Sequence, residues 1–261
     1  KEGTGTLTLN ASSTYTGDLY VRGGTVTVTS AGLISGIRRL DVSGTNQATL
    51  NIEGAVTTGG SSVFRLGYGQ DGVMNVTGTL DIGNGSEVRV GGGDSTGNRA
   101  EGTLNINNGG VVTVGTAGNA SDGSQSVVWI VSNGNVDASG IININSGGEL
   151  ITKRNISATG SSTVKAAEVN FDGGKLTAGI DNLTLIEDRN ALKVSLLNGG
   201  GTIDTQGYTS TITETITGSG NLTKIGSGKL TIEGFHPWSG DTIINAGTLE
   251  LKSTGDSTTV N

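Results

Sequence analysis

Residues 48–94 read ATLNIEGAVTTGGSSVFRLGYGQDGVMNVTGTLDIGNGSEVRVGGGD, and one pattern occurs in them twice. Each copy opens with an asparagine between two apolar residues, first Leu50-Asn51-Ile52 and then Met74-Asn75-Val76. Alternating apolar residues follow, and an arginine then stands between two further apolar residues, at Arg65 and at Arg89. Alternation with a period of two places the flanking apolar residues on one side of a β-strand and the middle residue on the other. Each copy therefore predicts three short strands joined by turns rich in Gly, Ser, Asn and Asp.

The asparagine pattern continues beyond this stretch. It recurs as Leu104-Asn105-Ile106, Ile142-Asn143-Ile144 and Val169-Asn170-Phe171, so that the five asparagines are 24, 30, 38 and 27 residues apart. A single unit could not bury its apolar side alone, whereas stacked units bury it continuously and pair their backbones. We therefore predict an all-β fold, a right-handed parallel β-helix with three strands per turn. About eleven such turns, or rungs, of roughly 24 residues would make up the chain.

The predicted solenoid is a single unit over residues 1–261, with Gly/Asn-rich central rungs over residues 36–178. An antiparallel sandwich is the alternative, because it also contains short strands and frequent turns. The recurrence of one three-strand cassette favours the β-helix, as do the aromatic content of 3% and the single proline.

Composition excludes several classes of protein. Glycine supplies 47 residues, but it does not occupy every third position as in collagen. A net charge of −7 argues against binding to nucleic acid, which requires a basic surface. There is no cysteine for disulfides and no apolar run of the ~18 residues that a membrane helix needs. Since no signal region precedes the central pattern, we expect targeting and anchoring segments to lie outside this chain.

The two ends of the sequence align with each other. Residues 5–29 and 228–252 match without a gap, with Leu7 opposite Leu230 and Tyr15 opposite Trp238. The second copy follows the segment GSGNLTKIG at residues 218–226. Residues 5–29 and 218–252 closely resemble the autotransporter-associated β-strand repeat. They depart from it at Phe235-His236-Pro237-Trp238, where the family usually has a polar stretch ending in tyrosine.

The resemblance implies a Gram-negative outer-membrane autotransporter whose β-helical passenger is displayed on the extracellular face of the cell. Passengers of this kind act mainly in adhesion, self-association and biofilm formation. Their translocator barrel would lie outside this chain. The partners it implies are other copies of the protein on neighbouring cells, or glycans and matrix proteins on a host surface.

Catalytic and metal-binding patterns are weak, so we expect neither an enzyme nor a cofactor. His236 is the single histidine and has no defined carboxylate partner, and Glu187-Asp188 is the single adjacent acidic pair. Gly67–Asp71 and Gly91–Asp94 only faintly resemble calcium-binding repeats, and turn glycines beside a capping aspartate explain them better. A carbohydrate-active β-helix, a lyase or a glycosidase, stays open as a second alternative.

Two outward stripes carry almost no charge and could form hydrogen bonds. The first is a stack of amides, and the second is its threonine-rich neighbour. Asparagines stacked this way can bond to one another within the molecule, or they and the neighbouring stripe can offer a flat surface for self-association with a second copy. The first stripe consists of Asn51, Asn75, Asn105, Asn143 and Asn170, and the second of Thr27, Thr57, Asp81, Thr113 and Thr177.

A third outward stripe collects positive charge. It is predicted to contain Arg38, Arg39, Arg65, Arg89, Trp129 and Lys165. Arginine forks and a tryptophan ring suit an acidic glycan, although the same residues would also serve as ordinary solvated strand positions.

The sequence therefore favours a non-catalytic adhesive passenger fragment. The alternative is an inert stalk, in which the end repeats assist folding after secretion.

Overall fold

The computed structural model describes residues 1–84, 87–92, 100–115, 127–132, 138–158, 165–187, 192–253 and the backbone of 256–260. All regular structure in these ranges is β-strand. The strands fall into three columns, which form the three sides of a solenoid. No helix in the described ranges is long and apolar enough to cross a membrane.

The first column is a sheet of nine strands with every neighbouring pair parallel. It contains β1 (Thr6–Leu9), β4 (Gly24–Val28), β6 (Ala48–Ile52), β8 (Gly72–Val76), β11 (Glu101–Ile106), β14 (Ser139–Asn145), β17 (Ala166–Asp172), β20 (Leu192–Leu196) and β23 (Ile216–Gly218).

The second column begins with β2 (Ser12–Ser13) and the first halves of β5 (Leu33–Val42) and β7 (Ala55–Leu66). It continues through β9 (Thr79–Ile82), β12 (Val111–Val114), β15 (Glu149–Thr152), β18 (Gly174–Ala178), β21 (Gly201–Asp204), β24 (Leu222–Ile225) and β26 (Thr242–Ile244).

The third column begins with β3 (Asp18–Val21) and the second halves of β5 and β7, which bend around the corner without a break. It continues through β10 (Glu87–Gly92), β13 (Val127–Ser132), β16 (Asn155–Ala158), β19 (Leu183–Ile186), β22 (Thr209–Ile212), β25 (Lys229–Glu233) and β27 (Thr248–Ser253). The last strand, β28 (Asp256–Val260), runs antiparallel to β27.

The fold is a parallel β-helix, as predicted. The described strands make nine complete three-strand rungs and a tenth without a strand in the first column, against about eleven expected. The estimate was too high because it assumed a constant rung, whereas the two rungs between Asn75 and Asn143 span 30 and 38 residues.

Alternation along the strands separates the core from the surface. The residues that flank each asparagine point inward, and Leu50, Ile52, Ile106 and Ile144 are completely buried. One continuous core of Val, Ile and Leu runs along the axis, with Phe64 among its largest side chains. The middle residue of each strand is left on the outside, so three faces of outward residues follow directly from the sequence pattern.

Two predicted positions are wrong. Thr27 lies in the first column, where it pairs with Asn51, because residues 24–28 follow the short first rung and begin the second one. Lys165 is not in the third column, since the third strand of its rung is β16. It lies just before β17, at the edge of the first column, where its ammonium pairs with Glu101.

Candidate functional site

The first face carries a continuous ladder of side-chain amides. Each asparagine donates from Nδ2 to Oδ1 of the asparagine one rung earlier, at 2.9, 2.9, 2.8 and 3.1 Å along the series. The ladder consists of Asn51, Asn75, Asn105, Asn143 and Asn170, and it begins on the hydroxyl of Thr27, 3.4 Å from Asn51 Nδ2. A shorter ladder joins Asn145 to Asn107 at 2.8 Å. The predicted bonding between stacked asparagines is therefore present.

The centre of the face around this ladder is uncharged over six consecutive strands, β1 to β14, and Glu101 lies at its edge, at the start of β11. Two outward positions per strand make up its centre, and all twelve residues are described: Thr6, Thr8, Thr25, Thr27, Thr49, Asn51, Val73, Asn75, Thr103, Asn105, Ile141 and Asn143. Each is partly or fully exposed. We call these twelve residues the amide face. The first central charges appear further along, at Glu168 and Lys193, which pair in the next two strands.

The threonine-rich stripe forms a separate face on the second column. Thr57, Asp81 and Thr113 are register partners there, as predicted. The stripe then continues through Ile151 and Thr177. Thr177 is 1% exposed and donates to Glu149 Oε1 at 2.6 Å, so this face is less uniform than the amide face.

The third face holds two arginine–tyrosine groups in the first four rungs. Arg22 and Arg39 lie over the ring of Tyr20, with guanidinium carbons 4.7 and 5.9 Å from its centre. Arg65 and Arg89 lie over Tyr68 in the same way, at 4.4 and 5.6 Å.

Register places Arg65, Arg89 and Trp129 in one line along the solenoid. Arg65 pairs with Arg89, and Arg89 pairs with Trp129. Arg39 lies on the same side of its strand, two residues before Asp41, which pairs with Arg65. We call Arg22, Arg38, Arg39, Arg65 and Arg89, together with their tyrosines and Trp129, the arginine face.

Carboxylates hold the arginines in place. Glu87 Oε1 lies 2.8 Å from Nε of both Arg65 and Arg89, whose side chains are only 20% and 16% exposed. Burial by itself would lower the pKa of Arg65, but the hydrogen bond and the charge of Glu87 outweigh it and raise that pKa. Arg38 is 73% exposed and pairs with Asp18 at 2.8 Å.

Some residues faintly resemble catalytic or metal-binding motifs in the sequence. The Asp71 carboxylate accepts from the backbone N–H of Glu101 at 2.9 Å, and its carbonyl accepts from Gly44, so this aspartate connects neighbouring rungs. Asp94 and Asp188 lie outside the described residues. Within the ranges that are described, no three His, Asp or Glu side chains are grouped in a way that could hold a metal ion.

His236 links two rungs. Its Nδ1 accepts a hydrogen bond from the backbone N–H of Ile216 at 3.1 Å, which requires the neutral imidazole. Burial lowers its pKa, although the backbone carbonyl of Glu233 acts in the opposite direction. Its ring centre lies 5.7 Å from that of Trp238. Beside them, Phe235 is 80% exposed.

Two lysines fill corners of the solenoid. Lys224 is completely buried at an inward position of β24, where its neighbours in register are Ile203 and Ile244. Its ammonium donates to three backbone carbonyls, those of Ile225, Gly226 and Ala246, at 2.8, 2.7 and 3.1 Å.

Lys1 forms the same arrangement. Its Nζ donates to the carbonyls of Glu2, Gly3 and Gly23 at 2.9, 2.8 and 2.9 Å. These residues correspond one by one to the partners of Lys224, at a constant offset of 223 positions. The bond from Arg22 N to Lys1 O likewise matches the one from Asn245 N to Lys224 O.

The short rungs explain why a lysine is needed. Equivalent strands here are only 19 residues apart, at Thr6 and Thr25 and at Lys229 and Thr248, against 24 or more in the centre of the first column. A tight corner turns carbonyl oxygens inward, and a buried carbonyl without a donor is costly. An ammonium brings three donors and joins the corners of two successive rungs.

Glycine is required at the corner that covers each ammonium. Gly24 and Gly247 have φ of 65° and 73°, in the left-handed region. A Cβ on Gly24 would overlap the carbonyl oxygen of Gly5, and one on Gly247 would overlap that of Gly228. The lysine and these glycines therefore form one local structural unit.

Both copies of this lysine–glycine unit lie within segments that match a known protein family. The Passenger-associated-transport-repeat family matches residues 1–28 and 222–251, and each match includes one complete lysine-filled corner. These two segments are passenger-associated transport repeats. They place the chain in an autotransporter passenger region and imply a secreted, surface-exposed protein. No curated protein and no solved structure matches the chain.

The two transport repeats occupy different columns of the solenoid. In the first, the strand after the lysine is β1, in the first column; in the second, it is β25, in the third column. The repeat is thus defined by its own corner and not by the face on which it lies.

Sequence reasoning found the repeats but not their lysines. The gapless alignment started at Gly5, four residues after Lys1, and extending it backwards would have matched Lys1 with Lys224. The tyrosines of the arginine face were also missed. Tyr68 follows its strand and does not share its alternation, whereas Tyr20 lies within β3.

Replacing Lys224 with Met should strongly destabilise the last rungs. The apolar side chain keeps most of the volume but removes the ammonium donor from the carbonyls of Gly226 and Ala246, whereas the carbonyl of Ile225 still accepts from the backbone N–H of Thr205. We therefore expect a loss of about 2 kcal/mol of unfolding free energy. Urea denaturation measures the loss, and hydrogen exchange locates it. The matched control is Lys193→Met, an exposed strand lysine, with an expected change of about 0.5 kcal/mol or less. Equal effects of the two substitutions would contradict this role for Lys224.

The hydrogen bond from the Ile216 amide to His236 should weaken at acidic pH. Because its pKa is lowered in the folded protein, its contribution to stability is complete above about pH 6.5, the ordinary pKa of an unfolded histidine, and falls as the pH drops through the folded pKa. Hydrogen exchange of the Ile216 amide, corrected for its intrinsic pH dependence, should therefore be faster at low pH. His236→Asn offers an amide oxygen in place of Nδ1 and should remove the effect. A pH response that persists in that variant would rule out the histidine as its source.

Proposed function

We propose that this chain is a non-catalytic part of a surface-displayed passenger and that it mediates bacterial adhesion by self-association through the amide face. One observation carries the proposal: the centre of this face has no charge over six consecutive strands, on a chain of net charge −7. The partner is a second copy of the protein on a neighbouring cell, and biofilm formation is the expected outcome.

The absence of charge matters because identical molecules of net charge −7 repel one another. Two copies that meet through their amide faces bring together only Thr, Asn, Val and Ile at the centre. The acidic residues remain at the edges of the contact or on the other faces, where water and salt screen them.

The ladder also makes the face rigid before it binds. Each amide within the series uses one of its two N–H groups and one lone pair of its oxygen in the ladder. Side chains that are already fixed lose little conformational entropy on association. Each intermolecular hydrogen bond is weak, but many of them along a flat face add up.

The inert stalk remains the alternative function, and the transport repeats favour it, because repeats of this family are typically structural. Such a stalk would carry a more distal domain and would not itself associate. The carbohydrate-active alternative has only the fold in its favour. Screening uronic-acid polymers for released reducing ends or unsaturated products tests it.

Placing negative charges on the amide face should abolish self-association. We expect wild-type chain to show concentration-dependent association in sedimentation velocity and to aggregate beads to which it is coupled. In Thr49→Asp/Thr103→Asp, both residues lie at the centre of the face, and the association constant should fall by about tenfold or more.

The matched control is Thr202→Asp/Thr211→Asp, which adds the same charge to outward positions of the second and third columns. It should associate like the wild type, and circular dichroism should show that both variants are folded. If the wild-type chain is monomeric at every concentration and does not aggregate beads, the stalk is the better description. If both variants lose association equally, the amide face is not the contact.

A further inference from the structure

Positive charge is concentrated on one face of an acidic protein. Five of the chain's eight arginines lie on the third column within its first four rungs: Arg22, Arg38, Arg39, Arg65 and Arg89. The carboxylates among them are Asp18, Asp41 and Glu87. The group therefore has a net charge of +2, against −7 for the whole chain.

These guanidinium groups are held in fixed positions. Each tyrosine has an arginine on two successive rungs, and stacking of this kind orients the planar guanidinium. Asp41 is only 4% exposed, lies under the surface and pairs with Arg22 at 3.6 Å. The carboxylates thus fix the arginines from below and from the side, and Glu87 contacts Nε of both Arg65 and Arg89.

Two of the arginines are stacked in register. Neighbouring rungs are about 4.8 Å apart, so Arg65 and Arg89 lie one above the other along the solenoid axis, and Arg39 lies to the side of their line, two residues before Asp41 on its strand. Trp129 follows in the fifth rung as the direct neighbour of Arg89 and offers a partly exposed aromatic ring. A group of fixed forks on successive rungs that ends in an aromatic surface suits an acidic ligand that is extended and composed of rings.

We propose that the arginine face binds a linear acidic polysaccharide, with its carboxylate or sulfate groups on the arginines and a sugar ring against Trp129. Arginine pairs with such anions through two parallel N–H bonds, which lysine cannot reproduce. Nucleic acid is the less favoured polyanion, because its dense charge would be repelled by the rest of a chain of net charge −7. The site lies on a different column from the amide face and does not depend on self-association.

The test uses the intact chain on immobilised heparin as the sulfated probe and polygalacturonate as the carboxylated one. Arg38→Gln/Arg39→Gln removes two charges at more accessible positions and should lower the affinity about tenfold. Arg65→Lys/Arg89→Lys keeps the charge but removes the forks and should also weaken binding. The control Lys175→Gln/Lys193→Gln removes two charges from other columns and should elute like the wild type.

Each outcome decides the proposal. Weaker binding of both arginine variants, an unchanged control and no retention on neutral dextran support it. Elution that follows net charge alone, so that the lysine control shifts as far as Arg38→Gln/Arg39→Gln, overturns it. Tighter binding to duplex DNA than to either polysaccharide overturns it in favour of a nucleic acid. Thr49→Asp/Thr103→Asp should retain heparin binding, which separates a failure here from a failure of self-association.

Discussion

Every feature of this protein depends on the parallel pairing of successive rungs. A parallel ladder in constant register places each side chain directly above its equivalent in the preceding rung. Like side chains therefore meet along each column, aliphatics inside and asparagines or arginines outside. Whether this stacking is favourable depends on the type of side chain. Stacked amides bond to each other, as Asn75 does to Asn51 and Asn105. Stacked arginines repel, and they need tyrosines and shared carboxylates such as Glu87 between them.

The same constraint determined what the sequence could predict. The Asn-centred strands were predictable because alternation and repetition both point to one register, and Asn51 to Asn170 indeed form one ladder. Lys165 was misplaced because its sequence resembles a third strand, while the distance along the chain puts it at the start of the next rung. The number of rungs was overestimated for a related reason. Local patterns do not reveal how many residues a corner holds.

Buried polar groups were the hardest to predict. Lys224 interrupts an inward apolar column, and nothing in its neighbourhood marks it as buried. Its role depends on carbonyls of Ile225, Gly226 and Ala246 that a short rung turns inward, which is a property of the backbone and not of the pattern. Likewise, His236 looks in the sequence like an isolated loop residue, yet it accepts a hydrogen bond from the preceding rung. The comparison of the two repeats was the one available signal, because it matches Lys1 with Lys224.

The two repeats lie on different columns of the solenoid, and this affects which insertions and deletions such a chain can accept. A ladder of like side chains persists only while each insertion adds whole turns, since a partial turn would move asparagine under arginine. The lysine corner has no such requirement, because all of its partners lie within its own segment and the rung beside it. Loss or gain of a single strand between the two repeats would therefore leave both lysine-filled corners intact. It would change only the direction, around the solenoid axis, in which one corner points relative to the other. In this architecture, the direction in which a terminal segment faces is set independently of its stability.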